Sequence, residues 1–250
     1  MRKYPRKEEK AIVLSAHSYG EDSARITLAG EERGVFSLMA NHVYKPKSPL
    51  RPLLMVGSLL LVQYKEVSPS LCVCSSLSLL EDSSPLWTER KGLAYLLFLS
   101  ELSLCLFHYG DKFPLGERKE ILSERENGGD VLSLSLLTRG SFYRALGLER
   151  NTKSCVHCGG TENISAYSFA EGGFLCLDCA EKRQIPSVKD KRDLYVLKFA
   201  FLPLSDSLLK KKVPFVPGRR ILLSLLENLR DYFDLKPRKS WSFFQSSLQD

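Results

Sequence analysis

No apolar run in this 250-residue chain is long enough to cross a bilayer. The longest, Leu93 to Phe107, has 15 residues and carries Glu101, against the roughly 20 that a span requires. It reads as a buried core helix. No internal repeat is visible. No secretory leader is expected either. The basic start Arg2-Lys3-Tyr4-Pro5-Arg6-Lys7 runs into Glu8 and Glu9, and the apolar stretch Ala11 to Ala16 is too short for the core of a signal. Catalytic motifs are missing as well: there is no GxSxG, no P-loop, no HExxH and no GxGxxG. Histidine is scarce, and His17, His42 and His108 stand apart from one another. Glu8-Glu9 and Glu31-Glu32 fall at the terminus or in a turn, where carboxylates are solvated. These absences lower the case for an enzyme. A composition of 44% hydrophobic and 26% charged residues excludes disorder of the whole chain.

What is present begins with seven cysteines, an odd number, three of them in apolar segments. That usage fits a reducing, cytoplasmic setting better than a disulfide framework. The net charge of +7 gathers at the two ends: residues 1–80 carry +4 and residues 191–250 carry +6. A polyanion partner is one reading of this excess, and a basic surface that only keeps the protein soluble is the other.

The chain divides by pattern. Ala11–Ser18, Ser23–Leu28, Gly34–Met39, Leu59–Tyr64 and Leu71–Cys74 read as five short strands, which suggests a small sandwich or barrel over residues 1–80. Three prolines within Lys45-Pro-Lys-Ser-Pro-Leu-Arg-Pro52 make an exposed connection. The serine-rich patch Ser75 to Ser84 is a candidate joint. Residues 81–154 turn helical, with long helices over Trp87–Phe107 and Val131–Leu146, the second closed by Gly147. Residues 155–180 hold a cysteine-rich insert. Helical pattern resumes over 181–250, where Leu222, Leu225, Leu226, Leu229 and Phe233 share a face and a basic tail follows.

The strongest local signal is Cys155-x2-Cys158 followed by Cys176-x2-Cys179. Two close pairs of thiolates suit one tetrahedral zinc. Gly159 and Gly160 supply the tight turn of a knuckle, and Gly172 and Gly173 bend the chain back to the second pair. Four cysteine ligands leave no open coordination position, so the expected metal is structural. His157 is expected to be a loop residue. Cys72, Cys74 and Cys105 have no basic neighbours to activate them and read as inert.

The remaining candidates are cationic. Arg25, Lys45, Lys47, Arg51 and Lys65 lie on or beside the strands, interleaved with Tyr19, Phe36, Tyr44 and Tyr64. Cations along a phosphate chain with rings for bases make a sequence-tolerant single-strand site. The alternative is that the rings are core and the cations solubilising. Two further clusters are Lys210-Lys211-Lys212 with Arg219-Arg220, and Lys236, Arg238 and Lys239. Arg139 and Arg144 on one helix suit an acidic peptide ending in an apolar residue and a carboxylate, or else are two solvated arginines.

The order of parts resembles a known family. The residues that carry the resemblance are Ile12-Val-Leu with Tyr19-Gly-Glu, Pro46-Lys-Ser48, Leu146-Gly147 leading to Cys155-x2-Cys158-Gly159, and Gly172-Gly173 leading to Cys176-x2-Cys179. Together they resemble RecO, the bacterial recombination and repair mediators, over nearly the whole chain. The resemblance implies an α+β multidomain fold. An N-terminal five-stranded OB-fold barrel binds single- and double-stranded DNA, and an all-α domain follows with a four-cysteine zinc knuckle inserted in it. It also implies annealing of complementary strands without ATP and help in loading the RecA recombinase in the RecF pathway. The implied partners are RecR and the acidic C-terminal tail of single-stranded DNA-binding protein, and the implied location is nucleoid-associated. The competing readings are a zinc-stabilised enzyme acting on nucleic acid and a protein-interaction adaptor.

Overall fold

The computed structural model describes residues 6–68, 71–236 and 238–248. Five strands, β1 (Arg6–Tyr19), β2 (Ser23–Gly30), β3 (Gly34–Ala40), β4 (Leu59–Ser68) and β5 (Leu71–Glu81), close into an OB-like barrel in the order β1-β2-β3-β5-β4. One long strand makes closure possible. The first half of β1 pairs with β4, from Arg6↔Lys65 to Ile12↔Leu59. Its second half pairs with β2, from Ala11↔Gly30 to Tyr19↔Ser23. An irregularity between Val13 and Ser15 bends β1 as it passes from one partner to the other. Two parallel pairs, Leu38↔Cys72 and Met39↔Val73, seal the barrel. Alternation turns Ala11, Val13, Ile26, Leu28, Leu38 and Val62 inward, as a period of two requires.

The serine-rich patch is not a joint up to Glu81 but the continuation of β5, with Ser76 opposite Gln63 and Ser78 opposite Leu61. Serine here marks the solvated face of a strand: Ser76 Oγ donates to Gln63 Oε1 at 3.0 Å.

The helices are α1 (Ser84–Trp87), α2 (Arg90–Leu106), α3 (Leu115–Glu126), α4 (Val131–Ala145), α5 (Leu177–Lys182), α6 (Arg192–Ala200), α7 (Asp206–Leu209), α8 (Phe215–Tyr232) and α9 (Lys239–Ser247). A hairpin of β6 (Ile164–Ser168) and β7 (Gly173–Cys176) lies between α4 and α5. None of these helices is long and apolar enough to cross a membrane.

The chain forms two compact units, Met1–Lys119 with Pro237–Asp250, and Glu120–Lys236. In the first, α9 returns to α2: Phe244 stacks on Phe98 with ring centroids 4.5 Å apart, and Trp241 meets the same ring edge-on. The helices therefore divide by packing partner, and not where the sequence pattern changes. In the second unit α4 is buried from Val131 to Tyr143. Asp130 caps it, accepting from the Ser133 N–H at 2.9 Å, and Gly147 ends it at φ +70°. Gly140 on α4 meets the end of α6 so closely that a Cβ there would lie 1.7 Å from the Ala200 carbonyl oxygen. Helix α8 buries Ile221, Leu222, Leu225, Leu226 and Leu229 on the expected stripe. It begins earlier than the stripe because Pro217 sits in the first turn, where a missing N–H leaves no bond unmade.

Candidate metal centre and nucleic-acid interface

The two CxxC pairs converge. Cys155 and Cys158 flank a tight turn in which Cys155 N–H donates to Gly160 O at 2.8 Å and Gly159 N–H to Cys155 O at 2.9 Å. Gly159 sits at φ +73°, where a side chain would be strained. Cys176 closes β7 and precedes α5, whose first turn carries Cys179. All four Sγ atoms lie within 4.8 Å of one another, with Cys158 and Cys176 at 3.7 Å. Tetrahedral zinc with Zn–S near 2.3 Å places its sulfurs about 3.8 Å apart, so the donor set fits that ion. Burial opposes ionisation of the Cys155 thiol, but backbone N–H groups of Cys158, Cys176 and His157 outweigh it and lower its pKa. His157 turns away: its Nε2 meets Glu171 Oε2 at 2.7 Å. Burial raises the pKa of the other thiols, Cys72, Cys105 and Cys74, the last to about 11.

On the barrel, register places the basic strand residues. Arg25 stands opposite Met39, Met39 opposite Val73, and Val73 opposite Lys65. Arg25 and Lys65, both exposed, thus end one row across the outer surface, three strand spacings or about 14 Å apart along the sheet. The proline-rich connection carries the other three. Val43, Leu50, Leu53 and Leu54 anchor it to the barrel core. Tyr44 N–H bonds Asp22 O at 2.9 Å, Lys45 Nζ lies 3.7 Å from the Asp22 carboxylate, and Arg51 stacks over the Tyr44 ring at 5.9 Å. Lys47 is held at φ +63°, a left-handed value rare for lysine. The interleaved aromatics split. Tyr19 is 63% exposed and Tyr44 half-buried, whereas Phe36 and Tyr64 are core residues with centroids 5.7 Å apart and cannot stack on bases.

Sequence reasoning missed Arg33. Its guanidinium, 8% exposed, lies 5.2, 5.1 and 4.9 Å from the rings of Phe36, Tyr64 and Tyr109, and donates to Tyr64 Oη, Glu66 and Cys72 Sγ. Hydrogen bonds from Lys7 first and Arg33 second hold Glu66 down to about 2, against an ordinary 4.5. A depressed carboxylate stabilises the fold fully above its ordinary value and loses that contribution as pH falls through its native one. In urea titrations, wild type should exceed Glu66→Gln in stability at neutral pH. More than half of that margin should be gone by about pH 3. A margin that stays constant down to that pH would dismiss the ion pair as its source.

The peptide surface expected at Arg139 and Arg144 is not there. Arg139 is fully buried, its Nη1 donating to Ser135 O one turn back at 2.9 Å. Arg144 is partly buried, with Nη1 3.4 Å from Leu202 O. Five residues turn a helix by about 500°, so the two side chains leave in different directions. Beyond the end of α4 lies a hollow of about 490 Å³, with Arg150, Lys153 and Lys198 around Phe201, Leu202 and Pro203.

Residues 1–81 match the family described as Recombination protein O N terminal, and residues 88–240 match Recombination protein O C terminal. The chain is similar to the DNA repair protein RecO of Bacillus subtilis strain 168, 25% identical over 186 residues that span 69% of this chain and 68% of the relative. The protein of that name from Halalkalibacterium halodurans is 25% identical over 191 residues, 69% of this chain and 68% of the relative. That from Bacillus cereus strain AH187 is 27% identical over 186 residues, 70% of this chain and 71% of the relative. The two family matches take in barrel, helices and knuckle alike, and the protein belongs to the RecO family of DNA repair proteins.

Proposed function

We propose that this protein is a non-enzymatic DNA-binding mediator. It anneals complementary strands without ATP and, with RecR, helps load RecA onto single strands coated by single-stranded DNA-binding protein. The observation that supports this best is the row across a closed barrel that Arg25 and Lys65 end, with Met39 and Val73 between them, together with Lys45, Lys47 and Arg51 on an anchored loop. Little ordering entropy opposes contact between such a loop and phosphates. The four thiolates hold one structural zinc, which fixes the knuckle and takes no part in chemistry. The acidic tail of the coating protein suits the hollow at Arg150, Lys153 and Lys198, where three cations against one carboxylate, Glu149, line it beside apolar side chains.

Two measurements test the reading. Purified protein should anneal complementary oligonucleotides at the same rate with and without nucleotide. Replacing Lys45, Lys47 and Arg51 together by alanine should weaken single-strand binding. It should also reduce the slope of log affinity against log salt by about 2, at about 0.7 per phosphate contact. An unchanged slope removes the loop from the site.

A further inference from the structure

Annealing needs two strands held at once, and the barrel row with its loop accounts for one. A second concentration of charge lies elsewhere in the chain. Lys210, Lys211 and Lys212 join α7 to α8 within the region that carries +6. All three are exposed and, among the described residues, none is ion-paired. Arg220 on α8 is different, held by Asp193 at 2.6 Å and Asp190 at 3.2 Å. Arg219 beside it has no such partner among the described residues, and its Nε is buried without a hydrogen bond. It borders a hollow of about 480 Å³ that Phe215, Val216, Arg220, Leu223 and Glu227 also line. Phe215 is 49% exposed although it is a large apolar ring next to cations. Residues 215, 219 and 223 fall on one stripe of α8 by their spacing of four.

We infer that Lys210, Lys211, Lys212, Arg219 and Phe215 form a second single-stranded DNA site, so that one chain holds both strands to be annealed. The lysines meet phosphates and the ring stacks on a base. Three consecutive lysines cover a length of backbone instead of a point, which favours a continuous polyanion over an acidic peptide. This inference rests on the DNA-binding reading above.

The test uses full-length protein and oligothymidylate, which cannot pair with itself. One oligothymidylate is fixed to beads, and capture of a second, fluorescent one reports two occupied sites. Wild type should capture it. Lys210→Gln with Lys211→Gln, Lys212→Gln and Phe215→Ala, all at exposed positions, should bind the fixed strand within about twofold of wild type. The same variant should capture the second strand about tenfold less well and anneal correspondingly slowly. Intact binding with unchanged capture overturns the inference alone, as when two copies of the chain supply the two sites. It is overturned too if the variant keeps full capture but no longer binds an oligoglutamate peptide carrying leucines, which would make the face a peptide site. Failure of wild type to bind any oligothymidylate would sink the parent reading and this one with it.

Discussion

Cys176→Ser is expected to release one zinc ion per chain and unfold the knuckle from residue 155 to 182. The apolar cluster around the thiols is Cys155, Ala166, Leu175, Cys176 and Ala180, of which two are candidate ligands, and outside it Phe174 packs against Tyr167. So small a cluster cannot order a hairpin and a one-and-a-half-turn helix. On the proposed zinc reading the metal supplies the difference, since structural zinc contributes on the order of 10 kcal/mol in small modules. Cys176 is the worst position to lose, because it ends β7 and precedes α5, so both elements are released together. Metal analysis should give a stoichiometry near one for wild type and near zero for the variant. Hydrogen exchange should quicken across the knuckle while the barrel strands stay protected. His157→Ala should keep its zinc, since His157 faces Glu171. Wild type prepared without chelator that carries no metal, with all four thiols freely titratable, would show that the cluster is not a zinc site.

Gly140→Ala should be the most damaging single methyl group in the second unit. Its Cβ would lie 1.7 Å from the Ala200 carbonyl oxygen and 2.8 Å from the carbonyl carbon, so the obstacle is backbone that no rotamer change can clear. Helices α4 and α6 must part, and forced overpacking costs about 3 kcal/mol or more. For a protein of this size that is roughly a 10 °C fall in Tm. Gly116→Ala is the matched control. It lies exposed near the start of α3 with nothing within 4 Å of the new methyl group, and should gain up to about 1 kcal/mol from helix propensity. If the two variants melt together, the close crossing is not what Gly140 provides.

Features written in local spacing were legible from sequence. Short β-branched runs between turn signals revealed all five barrel strands, a period of 3.6 the buried stripe of α8, and paired CxxC motifs the thiolate cluster, since two cysteines three residues apart share a turn wherever the chain folds. Arg33 had no such signal. It follows Glu31-Glu32 in what reads as a solvated turn, and its burial depends on Tyr64, Glu66, Cys72 and Tyr109 from other segments. The outward or inward choice for Phe36 and Tyr64 was equally hidden, because it is a matter of register. Arg139 is a different case. Counting 100° per residue would have separated it from Arg144, and only the assumption that arginine stays wet put it on a surface.

The return of α9 to α2 has a consequence during synthesis. More than a hundred residues separate the end of α2 at Leu106 from the start of α9 at Lys239. At ribosomal speeds of about 5–20 residues per second, α2 waits roughly 7–27 s for its partner. Through that interval the side of Phe98 that Phe244 and Trp241 later cover has no cover from α9 on the nascent chain. Ribosome-bound chains therefore pass through a sticky stage after α2 is made, and the arrival of α9 is what ends it.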